Sequence, residues 1–181
     1  MLSFTKTASL SILLALTLTT ASGCGLGEKA SEKAAEKLIE QSTGLKVNQE
    51  GDGVTISSEK GEVKLNGEAK ELPKGFPLSA FPGSQIESSM VTNTNEGKNY
   101  IVALTSSKSI NELATYYENA LKEKGIKPER TDLKEDEGDA LNSVFLNGKS
   151  DSLNITVQIV KNEKEKNKES NQLNLMVTQL K

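Results

Sequence analysis

The chain has 181 residues, of which 35% are hydrophobic and 26% charged, and its net charge is −3. A chain of this size fits one domain with appendages, and the acidic balance argues against a nucleic-acid partner, which a clustered basic surface would indicate. Histidine is absent, so the usual proton-transfer side chain near neutral pH is missing. The single cysteine excludes an internal disulfide and a thiolate metal site, and no cofactor is expected.

The first 24 residues have the pattern of an export signal. Lys6 precedes a short apolar run at residues 10–18, and small residues then lead to Cys24. The apolar run is too short for a spanning helix, which needs about 20 residues. Segment 1–23 is therefore predicted to be a signal peptide.

The stretch Ala21-Ser22-Gly23-Cys24 resembles the lipobox of bacterial lipoproteins. In that family the cysteine receives a diacylglycerol and the signal is cut immediately before it, which implies cleavage between Gly23 and Cys24 and lipidation of Cys24. The resemblance implies a partner, the cell membrane, and a lipid-anchored location on its extracytoplasmic face. The alternative is an ordinary secretory signal that leaves Cys24 as a free thiol.

Two segments separate the signal from the main domain. Residues 24–44 are predicted to be a tether and spacer helix with a thin stripe of Ala, Leu and Ile, which Gly44 ends. Residues 45–71 alternate apolar and polar side chains at Val54-Ile56 and Val63-Leu65, around a polar turn, which predicts a β-hairpin.

Residues 72–181 are predicted to form an α+β domain. Ser109 and Glu112 have capping-box spacing at the start of a helix that ends at Gly125. Strands are predicted near residues 86–90, 100–104, 142–146, 153–160 and 173–180. The expected fold is an antiparallel sheet of about five strands with one helix packed across it, in a helix-grip-like order.

Two stretches of this segment, "LPKGFPLSAFPGSQI" and "YYENALKEKGI", resemble small exported bacterial domains with a Phe-Pro/Pro-Gly entry and a Tyr-Tyr helix. The resemblance covers residues 72–181. Those domains are largely uncharacterised, so it supports the fold and implies no activity.

One acidic pattern overlaps a calcium loop, with Asn48, Glu50, Asp52, Gly53 and Glu59 at positions one, three, five, six and twelve. Calcium needs several oxygen ligands from one tight loop. However, a strand is expected to follow in place of a helix, and a polar hairpin turn explains the pattern without metal. No metal site is predicted.

A second acidic run, Asp132, Glu135, Asp136, Glu137 and Asp139, is expected to be a solvated loop, with loose cation binding as the alternative. The mixed-charge stretch at residues 161–171 is expected to be an exposed loop between two strands. Its lysines leave headgroup contact open, although the interleaved glutamates weaken it.

Ser57 and Lys60 have the Ser-x-x-Lys spacing of serine acyl-enzymes. That chemistry needs the serine at a helix start together with companion motifs, whereas these two residues fall in a predicted hairpin turn.

The expected function is therefore a non-catalytic binding or structural role at the cell envelope. The alternative is a hydrolase that uses carboxylates such as Asp132 or Glu135. A binding protein is expected to expose an apolar patch, and an enzyme is expected to converge carboxylates in a pocket. Helical periodicity directs Tyr117 into the sheet and leaves Tyr116 on the flank. There Tyr116 is the candidate contact for an unknown protein partner, and the simpler interpretation is a ring that lies along the sheet edge.

Overall fold

The computed structural model describes residues 37, 39–41, 43–134, 141–162 and 170–181. Nine strands form one antiparallel sheet in the order β1-β2-β3-β4-β5-β9-β8-β7-β6. The strands are β1 Lys46–Glu50, β2 Gly53–Ser58, β3 Gly61–Asn66, β4 Gln85–Thr94, β5 Gly97–Ser106, β6 Glu129–Lys134, β7 Leu141–Lys149, β8 Leu153–Asn162 and β9 Ser170–Leu180. The helix α1, Ile110–Glu123, lies between β5 and β6 in the chain.

The helix begins where the sequence predicts it. The Ser109 hydroxyl accepts a hydrogen bond from the Glu112 amide at 3.3 Å, and the Ser109 amide donates to Oε2 of Glu112 at 3.2 Å, so the capping box is confirmed. The buried face of α1 consists of Ile110, Leu113, Ala114, Tyr117 and Leu121. This face is the predicted one, and it packs over β7 and β8.

The core lies between α1 and one face of the sheet. In the middle of β5, β9 and β8 every second side chain is buried on the side of the helix and of the connector that precedes β4. Phe76, Leu78 and Phe81 of this connector pack on the same core. This placement leaves the opposite face of the sheet without a helix in the described part of the chain.

The predicted fold class is wrong. In the described residues the protein is mostly β, with nine strands in one sheet and α1 as the one helix packed on it, whereas about five strands and a helix-grip-like order were expected. Two strands, β1 and β6, were missed. The predicted hairpin also continues the main sheet, because β3 pairs with β4 over Gly61↔Thr94 to Asn66↔Ser89.

The hairpin itself is confirmed, since Ile56 pairs with Val63 and Val54 with Leu65. The described residues of the predicted spacer helix are helical at positions 37, 39–41 and 43, and Gly44 follows them with a φ of 72°. That left-handed conformation suits glycine at the end of a helix. The segment boundaries 1–23, 24–44, 45–71 and 72–181 remain predictions.

Candidate functional site

The face of the sheet opposite α1 carries a continuous apolar row. Five cross-strand partners, Val54, Leu65, Met90, Ile101 and Met176, follow one another across β2, β3, β4, β5 and β9. Directly paired residues share a face of an antiparallel sheet. Because Tyr100 and Val102 are buried on the helix side, the alternation of side chains places this row on the opposite side.

A second row runs parallel to the first. Val47, Ile56, Val63, Thr92 and Asn99 are successive partners across β1 to β5. All five are half-buried. In the first row, Leu65 is 40% exposed and Ile101 is 37% exposed. The two rows therefore form an accessible, mostly aliphatic surface. We use the term open face for the side of β1–β5, β9 and β8 on which these rows lie.

The open face of seven strands, β1–β5, β9 and β8, has no charged residue at any position that the described register places on it. Its other positions hold threonine, serine, asparagine, glutamine and small or aliphatic residues. One carboxylate does reach this face: Glu87, which lies in a β-bulge, accepts a hydrogen bond at 2.7 Å from the hydroxyl of Thr105, and Thr105 is on the same side of β5 as Ile101. This composition is unusual in a chain that is 26% charged.

The opposite side of the same hairpin strands provides an internal comparison. Lys46, Glu62 and Lys64 lie there, and the Lys64 ammonium is 3.3 Å from the Glu62 carboxylate. The charged side chains of β1–β3 therefore lie on the side of the sheet that carries α1, and their apolar side chains lie on the opposite side.

Tyr116 is half-buried on the flank of α1, and its hydroxyl donates to the Ala80 carbonyl at 3.3 Å. Its ring meets that of Phe81 edge-on, with centroids 5.0 Å apart. A cleft of about 520 Å³ beside the ring is lined by Pro77, Leu78, Ser79, Asn119, Ala120 and Glu123. The structure thus uses the hydroxyl of Tyr116 internally, and its role as a partner contact remains a prediction.

The five residues of the calcium pattern are not brought together. Asn48 and Glu50 lie in β1, and Asp52 and Gly53 lie at the β1–β2 turn. Glu59 follows the far end of β2, which is about 20 Å from that turn at the usual rise per residue. In the described residues, no group of three acidic or cysteine side chains is close enough to hold a metal ion.

Ser57 lies in β2 and Lys60 in the following turn, not at a helix start. The turn is held by the neighbouring Ser58, whose hydroxyl accepts from the Lys60 amide at 3.2 Å. The arrangement that Ser-x-x-Lys acylation requires is therefore not formed by these two residues.

Asp132 of the acidic run lies in β6 and is engaged by Arg130. The Arg130 Nε donates to Asp132 at 2.6 Å, Nη1 donates to Glu118 at 3.0 Å and Nη2 donates to Asn111 at 3.1 Å. These hydrogen bonds, above all the one to Asp132, raise the pKa of the Arg130 guanidinium. Arg130 thus ties the edge strand to α1.

Four other residues of the acidic run, Glu135, Asp136, Glu137 and Asp139, lie outside the described residues, as do Gly23 and Cys24. The mixed-charge stretch does link two paired strands, β8 and β9, but its residues 163–169 are also outside the described part.

No protein-family model matches the chain, and it has no match among curated proteins or solved structures. Among the described residues, no helix combines the length and the hydropathy needed to cross a membrane.

Proposed function

We propose that the protein is a lipid-anchored extracytoplasmic component of the bacterial cell envelope with a non-catalytic binding or structural role. The observation that carries the binding role is the open face, which is poor in charge and has Leu65 and Ile101 exposed near its centre. The anchor rests on the lipobox pattern that ends at Cys24.

A sheet face that only meets water normally carries charged side chains, as the other side of β2 and β3 does. Depletion of charge is instead characteristic of the centre of protein–protein interfaces. The open face combines this depletion with aliphatic side chains in its middle and amide or hydroxyl side chains around them, which suits contact with another protein. The alternative role, a carboxylate-dependent hydrolase, gains no support from Asp132, because Arg130 already engages that carboxylate.

The lipid anchor is tested by Cys24→Ser. Without the thiol no thioether forms, so the variant should leave the membrane fraction and retain or miscut its signal. Partitioning into detergent like that of the wild type would contradict the anchor.

The binding role is tested by placing a photo-crosslinking amino acid at position 101 in cells. The control is position 133, because Leu133 is 50% exposed on the same side of the sheet but in the edge strand β6, beyond the seven strands of the open face. A discrete protein adduct from position 101 and none from 133 is expected. No adduct from position 101 would contradict a binding role for this face.

A further inference from the structure

We infer that the partner of the open face is the same face of a second copy of this chain. This inference rests on the proposed function, because it names the occupant of the proposed binding surface. Its geometry is an isologous dimer, in which the two copies are related by a twofold axis lying between the two sheets.

The area of the open face meets what a stable dimer needs. The seven strands are five to eleven residues long. At the usual strand spacing and rise per residue, they cover about 900 Å² in projection. A standard interface buries about 800 Å² on each partner. The face is therefore large enough even when sheet twist excludes one corner.

The low charge of the open face favours a second copy of this chain as its partner. The chain is acidic overall, with a net charge of −3, so contact between two copies through charged surfaces would be repulsive. Within its seven described strands the open face carries one carboxylate, that of Glu87 at the β4 bulge, so two copies meet there with few like charges. A partner with a highly charged contact surface would find little countercharge there, and most of its ions would lose water without compensation.

The arrangement of residues also fits self-association. Met90 and Ile101 are direct partners near the middle of the seven strands, and Leu65 and Met176 flank them. Packed at the usual separation of about 10 Å between sheets, two such rows form an aliphatic centre. Thr92, Thr178 and other uncharged polar residues surround it as a rim. Each α1 then lies on the outside.

The test uses the full-length lipoprotein in its own membrane. The position-101 crosslinker should give an adduct of twice the mass of one chain, and Ile101→Lys and Ile101→Glu should each weaken dimerisation by at least about tenfold. Coexpression of the two variants should restore the dimer, because opposite charges then meet near the twofold axis. Leu133→Lys changes the same side of the sheet at the edge strand β6, four strands from β5 and beyond the open face, so this variant should dimerise like the wild type.

The possible outcomes test the dimer and the binding role of the open face separately. An adduct of another mass would overturn the dimer and leave the binding role intact, whether the captured partner is a different protein or a lipid. The absence of any adduct would overturn both. Loss of the dimer in each single variant without rescue on coexpression would overturn the isologous geometry. Leu65→Lys serves as a second variant if the changes at Ile101 lower the melting temperature.

Discussion

The hydroxyl of Tyr117 accepts a hydrogen bond from the amide of Phe81 at 3.2 Å, although the two residues are 36 positions apart. Tyr117 is completely buried in the core, and this burial raises the pKa of its phenol. The bond fastens the connector before β4 to the middle of α1. Tyr117 therefore joins the helix, the connector and the sheet in one core, which confirms its predicted inward orientation.

Tyr117→Phe should lower the free energy of unfolding by about 1–3 kcal/mol, because the Phe81 amide loses its partner at a partly buried site. Tyr117→Ala should cost about 3–5 kcal/mol through the cavity it leaves. Urea denaturation measures both. The matched control is Tyr116→Phe, which should cost less than about 1 kcal/mol, because Tyr116 is half-buried whereas Tyr117 is completely buried, so water can replace the Tyr116 hydroxyl. Equal losses in Tyr116→Phe and Tyr117→Phe would contradict this assignment.

A fragment of residues 72–181 should melt cooperatively without the first three strands. All members of the buried core cluster lie between Leu78 and Val177, so β1–β3 contribute none of them. The fragment should nevertheless be less stable than the full chain, because Met90 loses its contact with Leu65 and β4 becomes an edge strand. Calorimetry of the two proteins decides the question. A broad transition of the fragment would place the domain boundary before β1.

Local signals in the sequence predicted the elements that local chemistry determines. The capping box at Ser109, the apolar face of α1 and the alternation in β8 all appear as predicted. The missed strands β1 and β6 are short edge strands with polar or charged sequences, and every residue of β6 is exposed. Edge strands commonly carry such residues, which discourage pairing with other chains, so no hydrophobic alternation marks them.

The candidate site depends on pairing that no local pattern reveals. The alternation at Val54-Ile56 and Val63-Leu65 predicted a hairpin with one apolar side, but only the β3–β4 register shows that this side faces away from α1. The scarcity of charge on the open face likewise becomes apparent only when the seven strands are aligned. The alternation of side chains can be read in each strand separately. That these strands share one face follows only from pairing between residues that are distant in the sequence.

The capping box makes stability depend on acidic pH. The hydrogen bond from the Ser109 side chain, followed by that from its amide, lowers the pKa of Glu112 below its ordinary value of 4.5. The folded state thus binds fewer protons than the unfolded state near that pH. The ionised Glu112 carboxylate therefore adds to the free energy of unfolding. This contribution is fully present above pH 4.5 and is lost as the pH falls through the lowered pKa.

Unfolding free energies measured between pH 7 and pH 3 should therefore fall less steeply for Glu112→Gln than for the wild type. Glu123→Gln, at the other end of the same helix and outside the capping box, is the matched control and should follow the wild type. Parallel curves for Glu112→Gln and the wild type would contradict a folded-state role for this carboxylate.

Gly148 permits close contact between β7 and the end of α1. A Cβ atom at this position would lie 2.6 Å from Cγ2 of Ile126 and 3.5 Å from the δ carbons of Leu121, and both side chains are buried. Gly148→Ala should therefore destabilise the protein by about 1–3 kcal/mol through overpacking. Gly67→Ala is the matched control, because its nearest atom would be the Asp52 carbonyl oxygen at 3.8 Å. It should stabilise the protein by about 0.4–1 kcal/mol, through reduced entropy of the unfolded chain.

A double-mutant cycle with Ile126→Leu identifies the source of the cost. Leucine has no γ2 methyl group, so the clash with an alanine at position 148 should be relieved. The double variant should then be more stable than the sum of the single losses predicts, with a coupling of about 0.5 kcal/mol or more. Additive losses in urea denaturation would mean that the backbone of β7, not the contact with Ile126, requires glycine at this position.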